Sequence, residues 1–129
     1  PDPFKPLFGL SDEALAARGV LRYRADDTSS FPDRIEMRHA LPGETVLLLN
    51  HTCQPAATPY RATHAIFVRE GASETFDRIG VVPEVMRIRL LSLRAFDLSG
   101  MIIDADVVEG EHLEPAIERI FSNPDVGYI

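Results

Sequence analysis

The amino-acid sequence predicts an α+β fold: a single domain over residues 1–129, with a mostly antiparallel β-sheet and a helix near each end. Three observations lead to this prediction. Several segments alternate apolar and polar residues with the two-residue period of strands. Two segments, after Ser11 and before Asn123, carry the cap or the apolar spacing of a helix. The chain also has 129 residues, 45% of them apolar, which suits one core.

The N-terminal segment is predicted to be an arm followed by a short helix. Residues 1–10 contain three prolines and are expected to be extended. Ser11 suits a helix N-cap, residues 14–18 form the helix, and Gly19 ends it before a short strand at residues 20–24. Three apolar side chains of the arm are available to pack against the domain, namely Phe4, Phe8 and Leu10.

A first antiparallel hairpin is predicted after a polar loop at residues 26–33. Apolar side chains then alternate with charged ones at Ile35, Met37, His39 and Leu41. This period of two indicates a half-buried strand, with His39 as a core histidine. A Pro-Gly turn follows, and residues 44–50 form the second strand.

The C-terminal half is predicted to contain a second hairpin and the last helix. Strands are expected at residues 64–70, 86–97 and 101–108, an amphipathic helix at 111–121, and the start of a further strand at 126–129. The two prolines of residues 51–63 predict a loop there.

The connection of the second hairpin sets its register. A three-residue connection that ends in glycine puts Phe96 opposite Ile102 and Arg94 opposite Asp104. One face is then apolar, made of Leu91, Leu93, Ala95, Ile103, Ala105 and Val107. Arg94 is either half of a cross-strand ion pair or a pocket cation that holds an anionic ligand. A two-residue turn would instead put Ala105 opposite Arg94.

The charge balance and the cysteine content disfavour several classes of protein. The formal net charge of −7 repels phosphate backbones and anionic headgroups, so neither nucleic acid nor a membrane is an expected partner. No apolar run approaches the ~20 residues of a membrane-spanning helix. Cys53 is the only cysteine, which excludes an intrachain disulfide and suits a reducing compartment. We therefore expect a soluble, cytoplasmic protein.

Candidate chemistry is concentrated around the loop predicted at residues 51–63. The functional side chains there are His51, Cys53, Tyr60, Arg61 and His64. Arg61 would hold a carboxylate or phosphate group, and His64, the candidate catalytic residue, would transfer a proton. His51, Cys53 and His64 could supply three zinc ligands, although their spacing matches no standard zinc motif; otherwise Cys53 is an inert thiol. No phosphate-binding loop is present, so the sequence identifies no cofactor.

Five short runs carry a resemblance to a known family. They are Leu47-Leu48-Leu49-Asn50, Gln54-Pro55, Pro59-Tyr60-Arg61, Ala65-Ile66-Phe67-Val68-Arg69-Glu70 and Leu93-Arg94-Ala95-Phe96-Asp97. Over most of its length the chain resembles the bacterial domain-of-unknown-function family DUF1203, which implies relatedness and no particular activity. Relatives often have Cys where this chain has Asp33. They also continue beyond the position of Ile129 with a tail containing His and Cys, which is absent from this sequence.

These observations leave three functional hypotheses. The first is a small-molecule binding domain or enzyme whose pocket takes an anionic ligand and is lined by Tyr60, Arg61 and His64, with Arg94 as a further candidate. The second is a non-catalytic module that forms a homodimer through an exposed sheet edge or through the proline-rich arm. The third is a metal-binding domain built on the two histidines and the cysteine named above.

Overall fold

The computed structural model describes residues 1–28 and 30–129. The described residues form an α+β structure, as predicted, with antiparallel strands in two sheets and short helices. The helices are α1 (Asp12–Ala16), α2 (Glu84–Arg87) and α3 (Leu113–Phe121), and the strands are β1 (Leu21–Arg24), β2 (Thr45–Gln54), β3 (Ala62–Arg69), β4 (Leu90–Phe96) and β5 (Ile102–Glu109). None of the helices in this described part is long and apolar enough to cross a membrane.

Contacts between Cα atoms divide the chain into two compact units. Unit 1 comprises Pro1–His51 and His64–Ile79, and unit 2 comprises Thr52–Thr63 and Gly80–Ile129. The organisation of the chain as one domain stays a prediction.

The N-terminal arm packs on the core of unit 1, as predicted. Its apolar side chains Phe4, Leu7, Phe8 and Leu10 contact a buried cluster that includes Leu15 and Leu47. The arm is not extended throughout, because Lys5–Leu7 forms a 3₁₀ turn. Ser11 is the N-cap of α1, and its Oγ accepts a hydrogen bond from the amide of Ala14 at 3.2 Å.

An ion pair pins this arm to the sheet. Two nitrogens of Arg22 on β1 donate to the carboxylate of Glu70 at 3.0 and 2.9 Å. Arg22 also donates to the Leu10 carbonyl at 2.6 Å, and the Gly9 amide donates to Glu70 at 2.8 Å. The hydrogen bond from Arg22 is the largest cause of the lowered pKa of Glu70.

For the first hairpin, the sequence predicts the wrong partner of β2. β1, β2 and β3 form one sheet in that order, and β2 pairs antiparallel with β1, with Leu21 opposite Leu48. Residues 34–38 form a loop instead of a strand, and Met37 has a φ of +55° that no regular strand contains. The apolar alternation there therefore reflects a loop with some side chains turned inward.

The carboxylate of Asp33 organises this loop. Asp33 is 0% exposed, and its Oδ1 accepts hydrogen bonds from the amides of Ile35 and Arg69 at 3.2 and 2.7 Å. Its Oδ2 accepts from the amide of Glu36 at 2.6 Å. Three backbone donors are thus satisfied by one side chain.

In the second hairpin, β4–β5 of unit 2, the residues at the tip pair as predicted, but the register differs further along the strands. Phe96 lies opposite Ile102 as expected, but a bulge next to that pair leaves Ile103 unpaired and puts Ala105 opposite Arg94. The predicted pairing of Arg94 with Asp104 is therefore wrong. The predicted strand at 86–97 also begins only at Leu90, because Glu84–Arg87 forms α2.

The bulge reverses the faces of β5. Ile103, Ala105 and Val107 are exposed instead of joining the apolar face, whereas Asp104 and Asp106 are half-buried. Both carboxylates lie near Arg119 on α3, with N–O distances of 3.6 and 2.6 Å.

The core of unit 2 lies between β4 and α3. Its buried members are Leu93, Ala95, Leu113, Ala116 and Ile120, which confirms the amphipathic character of the last helix, although Phe121 is exposed. At the expected start of a further strand, the structure has an antiparallel bridge between Phe96 and Tyr128.

Candidate functional site

The loop that was expected to carry chemistry is shorter than predicted. β2 extends to Gln54 and β3 begins at Ala62, so the loop spans residues 55–61, within unit 2. It is held against the tip of the β4–β5 hairpin, where Thr58 Oγ1 donates to the Gly100 carbonyl at 3.1 Å. Gln54 Nε2 donates to the Tyr128 hydroxyl at 2.8 Å and secures the end of β2.

Two of the candidate ligand-binding residues lie on this loop. Tyr60 and Arg61 are both exposed. The Nη1 of Arg61 donates to the Pro55 carbonyl at 2.8 Å, which closes the loop on itself. Part of this guanidinium is therefore engaged in a structural hydrogen bond.

The other two candidates lie elsewhere. His64 is an exposed residue of β3 and belongs to unit 1, whereas Tyr60, Arg61 and Arg94 belong to unit 2. The four residues thus do not form a site within one unit, and an anion pocket lined by them stays a prediction.

Arg94 lies on the β4–β5 hairpin of unit 2. Its side chain is exposed and, within the residues that the structure describes, makes no hydrogen bond or ion pair. It shares one side of the hairpin with exposed apolar residues, and we call this side the outer face. The outer face consists of Leu90, Ser92, Arg94, Ile103, Ala105, Val107 and Glu109.

The histidines and the cysteine form no metal-binding cluster among the described residues, and the Nε2 of His39 is buried there without a hydrogen-bond partner. Throughout residues 1–28 and 30–129, no group of three or more His, Cys, Asp or Glu side chains is placed to hold a metal ion. In unit 1 the ring of His51 packs edge-on against Phe4, with 5.3 Å between ring centroids. His39 is half-buried, with its Nδ1 3.3 Å from Ser30 Oγ.

A network of four charged side chains in unit 1 was not predicted. Arg38 donates to both oxygens of Glu44 at 2.8 Å, and Arg69 donates to both oxygens of Glu36 at 3.0 and 2.5 Å. A further bond of 2.9 Å joins Arg38 to Glu36. The signal in the sequence was the alternation of Arg and Glu around Met37, a pattern that more often marks a solvated strand face.

The hydrogen bonds of this network keep the carboxylates of Glu44 and Glu36 ionised. The hydrogen bond from Arg38 lowers the pKa of Glu44 to about 2, and the hydrogen bond from Arg69 lowers the pKa of Glu36. A carboxylate with so low a pKa is a poor proton acceptor at neutral pH. Glu36 also lines a polar cleft of about 460 Å³ together with residues 73–78. The network is therefore a structural clamp on the wall of this cleft.

The features above define an α+β protein with two antiparallel sheets, a loop ordered by a buried aspartate and an exposed outer face on its second hairpin. The family model described as "Protein of unknown function (DUF1203)" matches residues 30–129, and the chain belongs to this family. The arm, α1 and β1 precede the matched range. Neither a curated protein nor a solved structure matches the chain.

Proposed function

We propose that this chain is a non-catalytic interaction module that forms a homodimer through the outer face of the β4–β5 hairpin. The observation that carries the proposal is Arg94, an exposed and unpaired guanidinium among exposed apolar side chains. Arginine surrounded by apolar surface is typical of the residues that contribute most to protein interfaces.

The apolar part of the outer face supports an association. Leu90 and Val107 are 62% and 61% exposed, and Ile103 is also exposed, on strands whose other side is packed in the core. Burying this surface against an equivalent surface would be favourable at roughly 25 cal/mol per Å². Seven side chains make a small interface, so we expect a dimer that dissociates at low micromolar concentration.

The face fits this role better than the two contacts suggested by the sequence. The arm is occupied within unit 1, where Gly9 and Leu10 bond to Glu70 and Arg22. The exposed edge of β5 is protected, because the amides of Ala105 and Val107 donate to the carboxylates of Asp104 and Asp106 at 2.8 Å. Carboxylates on an edge discourage the addition of another strand. We assign the module to the cytoplasm of a bacterium, on the single cysteine and the family resemblance.

A pair of matched variants tests the proposal. The wild-type chain should sediment as a mixture of monomer and dimer that shifts with concentration. Val107→Asp should be monomeric, because a charge would be buried in the contact. Leu41→Asp is the control, since Leu41 is 61% exposed, as Val107 is, and lies in unit 1. A wild-type chain that stays monomeric at high concentration, or equal effects of the two variants, would contradict the proposal.

A further inference from the structure

We infer that the two subunits pack their outer faces in reversed directions, with Arg94 of each subunit pairing with Glu109 of the partner subunit. This inference rests on the proposed function and adds the geometry of the contact. It starts from the arrangement of charges on the outer face.

The outer face has three cross-strand rows. From the base of the hairpin towards its tip they are Leu90 with Glu109, Ser92 with Val107, and Arg94 with Ala105. The cation is thus at one end of the face and the anion at the other, with an uncharged row between them.

Arg94 and Glu109 do not pair within one chain. Four residues along β5 separate the row of Arg94 from Glu109, which is about 13 Å at ~3.3 Å per residue. Neither side chain makes a hydrogen bond or an ion pair among the described residues. Each therefore has its charge available for a second molecule.

A homodimer with twofold symmetry can stack two such faces in two ways. If the axis runs along the strands, equal rows meet, and Arg94 approaches Arg94 while Glu109 approaches Glu109. If the axis runs across the strands at the middle row, Arg94 lies over Leu90 of the partner subunit, beside its Glu109. Like charges disfavour the first arrangement and opposite charges favour the second.

The apolar side chains agree with the second arrangement. The middle row, Ser92 with Val107, meets its own copy on the axis, where a small residue beside a branched one allows close approach. The alkyl stem of Arg94 then covers Leu90, and its guanidinium stays near the rim, where it can reach a carboxylate.

A charge exchange tests the pairing. Arg94→Glu and Glu109→Arg should each weaken the dimer about tenfold, because each puts like charges together. The double variant should return the dissociation constant to within about threefold of wild type, and high salt should reduce the differences. The measurement is sedimentation equilibrium over a range of concentrations.

Cross-linking tests the position of the axis independently. In a Cys53→Ser background, Ser92→Cys should be joined to its own copy by a short bis-maleimide cross-linker, since residue 92 lies at the axis and packed sheets are about 10 Å apart. Ser99→Cys is the control, because this exposed tip residue faces the base of the partner subunit's hairpin in the reversed arrangement.

The outcomes separate the two claims. Rescue by the double variant together with cross-linking through residue 92 alone supports the reversed arrangement. A dimer that Val107→Asp abolishes, but in which rescue fails or residue 99 cross-links, overturns the arrangement and leaves the proposed function standing. A chain that is monomeric at all concentrations overturns both.

Discussion

Asp33 and Arg94 show two different environments of a charged side chain in this molecule. Asp33 is buried, and three backbone amides satisfy its carboxylate. Arg94 is exposed and has no partner among the described residues. A buried charge persists only when it is fully hydrogen-bonded, so Asp33 indicates a structural role. An exposed charge is solvated by water instead, and it is this unpaired charge of Arg94 that the proposed dimer would use.

The structural role of Asp33 can be tested by substitution. Asp33→Ala should lower the free energy of unfolding by about 3 kcal/mol, because it leaves buried amide donors without an acceptor. Asp33→Asn should also destabilise, since its NH₂ group would face a backbone N–H in place of an acceptor. Urea denaturation followed by circular dichroism gives both values. Asp27→Ala, at an exposed position of unit 1, should change stability little; equal losses in all three variants would refute this role.

At the scale of elements, local signals were reliable and pairing partners were not. Ser11 predicted the N-cap of α1, and apolar spacing predicted α3, because caps and helical faces depend on residues within one or two turns. The partner of β2 depends on the loop around Asp33, whose donors include the distant amide of Arg69. The register at Arg94 depends on one bulge residue, Ile103, which the turn sequence does not reveal.

For the candidate-site residues too, local signals were reliable and long-range contacts were not predicted. The position of Tyr60 and Arg61 on a loop was predicted from Pro55 and Pro59, although strands take both ends of the expected range. The surroundings of Arg94 were not predicted, because they follow from the bulge in β5. The clamp of Glu36 and Arg69 joins residues 33 positions apart, so only the folded chain shows it.

The contact between the 55–61 loop and the hairpin tip depends on Gly100. This residue has a φ of +86°, and a Cβ at its position would lie 2.3 Å from the Cβ of Ala56. Gly100→Ala should therefore lower the free energy of unfolding, obtained from urea denaturation, by more than the ~1 kcal/mol that backbone strain alone accounts for. Gly80→Ala separates the two effects, since Gly80 has a φ of +70° and no atom within 4 Å of an added Cβ. Similar losses in both variants would show that the close approach to Ala56 has no energetic role.

For the whole molecule, acidic residues outnumber basic ones by seven, and three arginines of unit 1, namely Arg22, Arg38 and Arg69, are engaged with carboxylates. Arg22 holds the arm, and Arg38 and Arg69 hold the loop beside β2. The excess negative charge therefore lies outside these clusters. Acid should affect the stability of the chain mainly through the paired carboxylates, because their proton affinity changes on folding.

Glu44 gives this dependence a direction. Its pKa is about 2 in the folded chain and 4.5 as an ordinary glutamate, so its contribution is complete above about pH 4.5 and is lost as the pH falls towards 2. We expect the thermal midpoint of the wild-type chain to fall over this interval. Glu44→Gln should have a lower midpoint at pH 7 and a shallower fall in acid, because an amide bonds to Arg38 without a charge. Glu118→Gln, at an exposed position on α3, should keep the wild-type profile; a Glu44→Gln profile parallel to wild type would mean that the Arg38–Glu44 pair contributes nothing to folding.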